Sequence, residues 1–359
     1  MRGPSLMSPL PPLQDGGASA APRRQAAALR APLVDSFGRA ITYLRVSVTD
    51  RCDLRCFYCM SERPDFLAKR DLLTLEELDR LASAFIGRGV RKLRITGGEP
   101  LVRRGVVDLM HELGRHLASG ALDELTLTTN GTQLVHHAAA LARAGVRRVN
   151  ISLDTLDPDR FATITRRGRL ADTLAGIDAA QEAGLDVKLN AVALAGINDD
   201  EFDRLVTFGQ QRGMDVTFIE VMPIGETGFG RADHFIPLAQ VRARLERHFT
   251  LTPSLHRSGG PARYWQIAET GRRVGFIAAT TCNFCAACNR VRVTATGRLE
   301  TCLGREDGAD LKAALRSEPG DDALHRAIDA AIAAKPAGHA FSEGWSAPAT
   351  RRGMNVTGG

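Results

Sequence analysis

Cysteines are the residues of this sequence best suited to metal chemistry, and all seven fall in two groups. The first group is Cys52, Cys56 and Cys59, within the segment CDLRCFYC. Three thiolates on one loop can hold three irons of a 4Fe-4S cube and leave the fourth iron without a protein ligand. A structural zinc site is closed by four ligands, and this loop offers no fourth one. The spacing therefore favours an iron–sulfur cluster with one open iron.

The second group lies in the last quarter of the chain and has four members, Cys282, Cys285, Cys288 and Cys302. Arg290 and Arg292 follow Cys288 closely, in the segment Asn289-Arg290-x-Arg292. Four thiolates could form an all-cysteine zinc site, or they could close a second cube completely. Three of them could instead hold an open cube beside a spare thiol. Zinc would leave the segment that carries the two arginines without a role.

A further motif, Gly97-Gly98-Glu99-Pro100, ends the second of the predicted strands. Two glycines at the end of a strand allow the backbone to approach a ligand closely. Taken alone, such a segment is more often a plain turn. Together with the cysteine loop, it indicates a ligand contact.

Six apolar segments, each followed by a helix or a turn, are the predicted strands that position these motifs: 41–48, 91–96, 124–129, 147–153, 186–194 and 215–222. The clearest helix begins after Thr74, which acts as N-cap, and Glu77 completes a capping box. Further helices are predicted over 102–118, 133–144, 170–183 and 199–212. Strict alternation of strand and helix implies parallel strands with right-handed crossovers. Six units fit either a partial barrel or an open doubly wound sheet.

The alternation ends at Pro223, and a Gly-rich stretch, the second cysteine group and a helical region near 309–334 follow. We therefore predict three segments: a disordered N-terminal extension over 1–35, an α/β domain over 36–223, and a smaller C-terminal domain over 224–359. The extension lacks the apolar core of a secretory signal. We expect a cytoplasmic protein, in which structural disulfides are disfavoured.

Composition limits the class of partner. The 359 residues are 44% hydrophobic and 25% charged, values typical of a globular protein, and no run of about 18 apolar residues indicates a membrane span. A net charge of +6 favours an anionic partner. The sequence disfavours a nucleic acid partner, because the arginines are dispersed and aromatic residues make up only 5%.

The CxxxCxxC loop after a first strand, together with the GGEP segment, resembles the radical S-adenosylmethionine (SAM) superfamily. That resemblance implies that the open iron chelates the amino and carboxylate groups of SAM. An electron from the cluster then cleaves SAM to a 5′-deoxyadenosyl radical, which takes hydrogen from a substrate. The hard chemistry would belong to the cofactor, and the protein would orient it.

The second cysteine group narrows the resemblance to the GTP 3′,8-cyclase (MoaA) family of molybdenum cofactor biosynthesis. Further matches cover about residues 35–359: TYLRVSVTDRC at 42–52, RITGGEPL, TTNG, NISLDTLD, KLNAV, FIEVMPIG and the final Gly358-Gly359. The family implies an incomplete (β/α)6 TIM-type barrel whose lateral opening is covered by the C-terminal domain. It also implies two 4Fe-4S clusters and radical cyclisation of GTP through its C3′ hydrogen.

The family's residue roles carry over to matching positions of this sequence. The SAM cluster would be held by Cys52, Cys56 and Cys59, and the second cluster by Cys285, Cys288 and Cys302, with Cys282 a bystander. SAM would contact Tyr58, Gly97, Gly98, Glu99, Ser152 and Met222. GTP would contact Arg45, Arg94, Thr128, Lys188, Arg290 and Arg292. Gly358 and Gly359 would enter the active chamber, where catalysis would depend on them and on Arg290 and Arg292.

The family further implies a homodimer, a low-potential, flavodoxin-like electron donor, and a cyclic pyranopterin monophosphate synthase that takes the product onward. Two other classes of function stay open. One is a radical SAM enzyme that modifies a different substrate, such as a peptide. The other is a zinc-stabilised RNA-binding protein.

Overall fold

The computed structural model describes residues 30–282, 284–341 and 347–359. Its strands are β1 Tyr43–Ser47, β2 Lys92–Thr96, β3 Glu124–Thr129, β4 Arg148–Ser152, β5 Asp186–Ala193, β6 Asp215–Glu220, β7 Leu251–Ser254, β8 Arg263–Ile267, β9 Arg273–Ile277, β10 Arg290–Val293, β11 Arg298–Glu300 and β12 Ala309–Asp310. Its helices are α1 Leu75–Ile86, α2 Val106–Leu113, α3 Arg115–Ala118, α4 Leu134–Arg143, α5 Pro158–Thr165, α6 Leu170–Glu182, α7 Phe202–Gln211, α8 Leu238–Leu245, α9 Leu311–Ser317, α10 Asp322–Ala333 and α11 Met354–Thr357.

All the described strands belong to one sheet, in the order β12-β11-β10-β1-β2-β3-β4-β5-β6-β9-β8-β7. Strands β1 to β6 are parallel and lie side by side in chain order. A doubly wound sheet would reverse its strand order at a switch point, so the barrel alternative is the correct one. Within the described residues, β12 and β7 end the row without pairing with each other. The incomplete barrel is therefore confirmed.

The C-terminal half extends this sheet at both edges. Strand β10 pairs in parallel with β1, and β9 pairs in parallel with β6. Antiparallel β11 and β12 continue one edge, and β8 and β7 continue the other. The segment after Pro223 thus flanks the six-stranded part on two sides within the same hydrogen-bonded sheet.

The predicted extension over 1–35 lies mostly outside the described residues. Its last residues, where the structure describes them, pack on the body: Leu33 is buried in the main core, and its N–H donates to the Arg88 carbonyl at 3.1 Å. Asp35 forms a buried ion pair with Arg39 at 2.6 Å. Leu33 and Asp35, which belong to the predicted extension, are therefore packed against the body of the protein.

Local sequence explains how the helices begin and end. The predicted capping box of α1 is present, with the Thr74 hydroxyl accepting from Glu77 N–H at 3.1 Å and the Glu77 carboxylate accepting from Thr74 N–H at 2.8 Å. The single helix expected over 102–118 is wrong. Gly105 has a φ of 80°, so α2 begins only after it, and Gly114 separates α2 from α3. Helix α5 was not predicted.

The two faces of the sheet differ in chemistry, because successive side chains of a strand point to opposite sides. On β1, Leu44 and Val46 belong to the hydrophobic core together with helix residues such as Leu81. Arg45 lies between them on the other face, beside Arg94 of β2 in the register of the sheet. Polar residues of the parallel strands therefore line the inside of the partial barrel.

Candidate active site

Two neighbouring cavities lie inside the partial barrel and at the carboxyl ends of its strands. One is lined by the first cysteine group and the other by three cysteines of the second group. Each spans about 1150 Å³ of space free of protein atoms, counting the part that is open to solvent. They share a wall formed by Thr128, Asn190, Ile219, Met222, Met354 and Gly359. We call them the first cavity and the cationic cavity.

The loop that carries the first cysteine group is held in place by its neighbours. Asp53 accepts hydrogen bonds from the Asn130 amide and the Thr132 hydroxyl, both at 2.6 Å, which fastens the loop to the end of β3. The backbone N–H groups of Arg55 and Phe57 donate to carbonyls at the end of α5, at 2.9 and 3.1 Å. The cysteines are thus presented on a fixed turn.

The three thiols of this loop fit an iron–sulfur cluster in their chemistry. Burial raises the pKa of all three thiols, that of Cys59 to about 12. Glu99 adds to the effect at Cys52. Cationic irons would supply the positive charge that three buried thiolates need.

The GGEP segment packs directly against the chain that leads into this loop. A Cβ on Gly98 would lie 2.4 Å from the Arg51 carbonyl oxygen, and one on Gly97 would lie 2.7 Å from that of Thr49. Gly98 N–H also donates to the Thr49 carbonyl at 2.8 Å. Both glycines line the first cavity, but their lack of a side chain is required by this backbone contact.

Glu99 is fully buried and is not among the residues that line either cavity. Its carboxylate accepts from the N–H groups of Leu101 and Asn130 and from the Thr129 hydroxyl, at 2.7 to 3.0 Å. The structure therefore places Glu99 behind the cavity wall, where it fixes the end of β3.

The other residues expected to contact SAM, namely Tyr58, Ser152 and Met222, line the first cavity. The Tyr58 hydroxyl donates to the Asp154 carboxylate at 2.6 Å, and Val192 N–H donates to the same group at 2.8 Å. Burial raises the pKa of Asp154 to about 6. Sequence reasoning missed Asp154, although it stands two residues after Ser152 and so lies on the same side of the chain.

The cationic cavity brings together all six residues expected to contact GTP, which are Arg45, Arg94, Thr128, Lys188, Arg290 and Arg292. Burial lowers the pKa of Arg292 to about 10, with a further contribution from Arg290. Burial also lowers the pKa of Lys188 well below its usual value, and Arg94 adds to this. These cations repel one another, and a bound polyanion would relieve the repulsion.

Several residues of this cavity escaped the sequence analysis. The Asn150 amide oxygen, in the orientation its neighbours require, accepts from both terminal nitrogens of Arg94 at 2.6 and 2.9 Å. Lys188 donates to the Tyr264 hydroxyl at 2.6 Å. Burial alone would raise the pKa of Tyr43, but surrounding cations, Arg94 foremost, lower it to about 8. Tyr43 is two residues before Arg45, so alternation along β1 could have identified it.

The Gly358-Gly359 segment lies at the junction of the two cavities. Arg45 donates to the Gly359 carbonyl, and Arg292 donates to the Gly358 carbonyl. Gly358 has a φ of 82°, and a Cβ on it would lie 2.3 Å from the Thr96 hydroxyl. Only glycine fits there without a shift of the backbone.

The second cysteine group differs from the first in its electrostatics. Burial would raise the pKa of Cys288, but Arg290 and Lys335 outweigh it and lower that pKa below the usual thiol value. Cys285, Cys288 and Cys302 line the cationic cavity, and Cys282 is not among its lining residues. Within the described part of the chain, no three metal-ligand side chains form a group that could hold a single metal ion. Ligands of a cube bind different irons and need not converge on one point.

Comparison with known proteins decides the family. Residues 46–209 match the family described as "Radical SAM superfamily", and residues 214–341 match the family described as "Molybdenum Cofactor Synthesis C". A GTP 3′,8-cyclase of Brucella melitensis biotype 2 is 60% identical over 330 residues, which are 91% of this chain and 96% of that protein. The chain belongs to the GTP 3′,8-cyclase family. A GTP 3′,8-cyclase of Nitrobacter winogradskyi is also 60% identical, over 328 residues and the same shares of both chains.

Solved structures of other proteins share the fold of this GTP 3′,8-cyclase family member, although their sequences are less similar to it than those of the curated relatives. SuiB of Streptococcus suis, bound to S-adenosylmethionine, superposes with a TM-score of 0.59 at 17% identity, covering 89% of this chain and 78% of that one. At this identity the likeness supports the shared radical SAM fold alone. Among the described helices, none has the length and apolar character needed to cross a membrane.

Proposed function

We propose that the protein converts GTP to (8S)-3′,8-cyclo-7,8-dihydroguanosine 5′-triphosphate, an early step of molybdenum cofactor biosynthesis. Family membership supports this reaction. One structural observation supports the assignment of each ligand to its own cavity. Two cysteine-lined cavities share a wall that includes Thr128, Met222 and Gly359. A ligand bound in one cavity would therefore meet a ligand bound in the other at this wall.

The first cavity would take SAM and one 4Fe-4S cluster. Cys52, Cys56 and Cys59 would hold three irons and leave one open. When bound, the cluster and SAM supply the low-potential radical chemistry that removes hydrogen from ribose C3′. The backbone at Gly98 and the Tyr58–Asp154 pair would form the wall against which SAM is oriented.

The cationic cavity would take GTP. A triphosphate carries a charge of about −4, and arginine offers planar paired donors to phosphate oxygens. Arg45, Arg94, Arg290, Arg292 and Lys188 line this cavity. Asn150 and Thr128 hold the Arg94 guanidinium in place, so that it need not be ordered when the nucleotide binds.

The second cysteine group would hold a second 4Fe-4S cluster through Cys285, Cys288 and Cys302, with its open iron toward the purine. Cys282 would be a bystander thiol. The Gly358-Gly359 segment, held by Arg45 and Arg292, would complete the chamber at the point where ribose meets SAM.

Partners and location are proposed from the family resemblance. We expect a cytoplasmic homodimer that receives electrons from a flavodoxin-like donor. The cyclised nucleotide would pass to a cyclic pyranopterin monophosphate synthase.

Anaerobic incubation with GTP, SAM and dithionite tests the proposed function. Chromatography should detect 5′-deoxyadenosine and a cyclised nucleotide in step with each other. If 5′-deoxyadenosine forms without a nucleotide product, a radical SAM enzyme with another substrate, such as a peptide, is the better assignment. Stoichiometric zinc in place of iron would favour the RNA-binding alternative.

A further inference from the structure

Lys335 is a buried lysine just after α10, with only 3% of its surface exposed. Its ammonium group has three acceptors: the Cys288 sulfur at 3.8 Å, the Arg290 carbonyl at 3.2 Å, and the Thr301 carbonyl. All three belong to the segment that carries the second cysteine group, since Thr301 immediately precedes Cys302. Lys335 therefore joins two parts of that segment around a single positive charge.

The charge of Lys335 has no acidic partner among the residues that the structure describes, where no ion pair involves it. An unpaired buried ammonium is costly. Carbonyl oxygens offset only part of that cost, because each carries a partial charge. The remaining acceptor is the Cys288 sulfur, and only as a thiolate can it supply a full negative charge.

A second buried cation near the same cysteines provides a contrast. Arg39 donates to the Cys285 carbonyl at 2.9 Å, but its charge is matched by Asp35 at 2.6 Å. The first cysteine group has neighbours of both signs, among them the acidic Asp53 and Glu99 and the cationic Arg55 and Arg231. Lys335 differs in that its ammonium group lies 3.8 Å from a cysteine sulfur and has no acidic partner among the described residues.

We propose that Lys335 is the counter-ion of the second iron–sulfur cluster, donating to the Cys288 thiolate and raising the reduction potential of that cluster. The inference rests on the proposed function, which places a cluster on Cys285, Cys288 and Cys302. Reduction adds a negative charge to the cluster, so a nearby cation and a hydrogen bond to a ligand sulfur stabilise the reduced form.

The test compares Lys335→Met, which removes the charge, with Lys335→Arg, which keeps it. Both are reconstituted anaerobically as full chains and titrated with dithionite while electron paramagnetic resonance is recorded. The signal that changes when GTP is added is taken as that of the second cluster. At the potential where half of these clusters are reduced in the unmodified protein, Lys335→Met should show about tenfold less reduced than oxidised cluster, equivalent to a shift of about 59 mV to lower potential.

Lys312→Met is the matched control, because the Lys312 ammonium also donates to backbone carbonyls, those of Arg70 and Asp71, but the residue is only partly buried and lines neither cavity. It should leave both potentials unchanged. Lys335→Arg should lie closer to the unmodified protein than Lys335→Met does. Equal potentials in Lys335→Met and the unmodified protein would overturn the proposal and make Lys335 a structural tie between carbonyls.

If Lys335→Met loses the second cluster, Lys335→Gln decides the matter, because it keeps a donor without the charge. Retention of the cluster with Arg but not with Gln supports the counter-ion role, and equal retention with both overturns it. The unmodified protein separates this inference from the proposed function. If it carries only about four irons, the second cluster is absent and the proposed function fails first, whatever the variants do.

Discussion

Arg290 illustrates how one side chain of the cationic cavity is positioned. Its guanidinium carbon lies 5.0 Å from the centre of the Phe284 ring, and strand pairing places it beside Tyr43. The stacking surface restricts the guanidinium, so its donors are organised before a ligand arrives.

Arg290→Ala should therefore weaken the use of GTP. A charge-assisted hydrogen bond contributes about 1.5–3 kcal/mol, so we expect KM for GTP to rise roughly 10- to 150-fold, with little change in SAM affinity. Steady-state kinetics under anaerobic conditions would measure both. Arg326→Ala is the control, since Arg326 pairs with Glu318 on the surface and lines neither cavity. Equal effects on GTP and SAM would argue against a nucleotide contact.

Glu99 predicts a pH dependence of stability. Burial raises its pKa from 4.5 to about 7, so the folded chain binds this proton more tightly than the unfolded chain does. The resulting stability is fully present below about pH 4.5 and is lost as the pH rises through 7. Urea unfolding of the iron-free protein at pH 5 and pH 8 should show a loss on the order of 2 kcal/mol that Glu99→Gln lacks. Parallel pH profiles for the two proteins would contradict this expectation.

At the scale of an element, the short helix α11 ends at Gly358, which is followed by Gly359 in the wall between the cavities. Gly358→Ala adds a Cβ that would meet the Thr96 hydroxyl at 2.3 Å, at a φ of 82°. We expect cyclisation to fall by about tenfold or more, since such strain costs on the order of 1–3 kcal/mol. Iron content and SAM cleavage should be kept.

Gly320→Ala provides the matched control for Gly358→Ala. Gly320 has a similar φ of 87°, but a Cβ there would meet nothing within 4 Å. It should reduce stability slightly and leave cyclisation unchanged. If Gly358→Ala cyclises GTP at the full rate, the segment is not part of the chamber.

Substitutions in the two cysteine groups should impair different activities. Cys56→Ala should abolish SAM cleavage, because the electron reaches SAM through the first cluster. Cys288→Ala should impair GTP binding and cyclisation but leave some uncoupled SAM cleavage. Measuring 5′-deoxyadenosine and cyclised nucleotide separately checks this, and equal loss of both products in both variants would refute the division of roles.

Strands and helices that have a recognisable local sequence pattern could be predicted from the sequence. Strands that depend on pairing with residues distant in the chain could not. The alternation of β1 to β6 with helices is visible in the sequence because each strand is a short apolar run. Strands β9 and β10 were missed, since each is held by pairing with a strand of the other half of the chain. Asn150 and Lys335 were missed for the same reason: their importance comes from neighbours distant in sequence.

At the scale of the whole molecule, metal content tests the assignment of both cysteine groups. Two cubes require about eight irons and eight sulfides per chain, which iron and sulfide analysis of reconstituted protein would measure. Cys282→Ser should keep both clusters and cyclise GTP within a few fold of the unmodified protein. A fall to about four irons in this variant would show that Cys282 is a ligand.

The paired edges of the barrel have a consequence for dissecting the chain. Strand β10 covers the open side of β1, and β9 covers the open side of β6. A fragment ending near Pro223 would expose two unpaired strand edges, which are templates for aggregation. Grafting a foreign C-terminal half, to redirect the enzyme to another substrate, would have to rebuild both edge pairings along with the substrate pocket. In this architecture, the C-terminal half therefore both shapes the substrate pocket and protects the strand edges from aggregation.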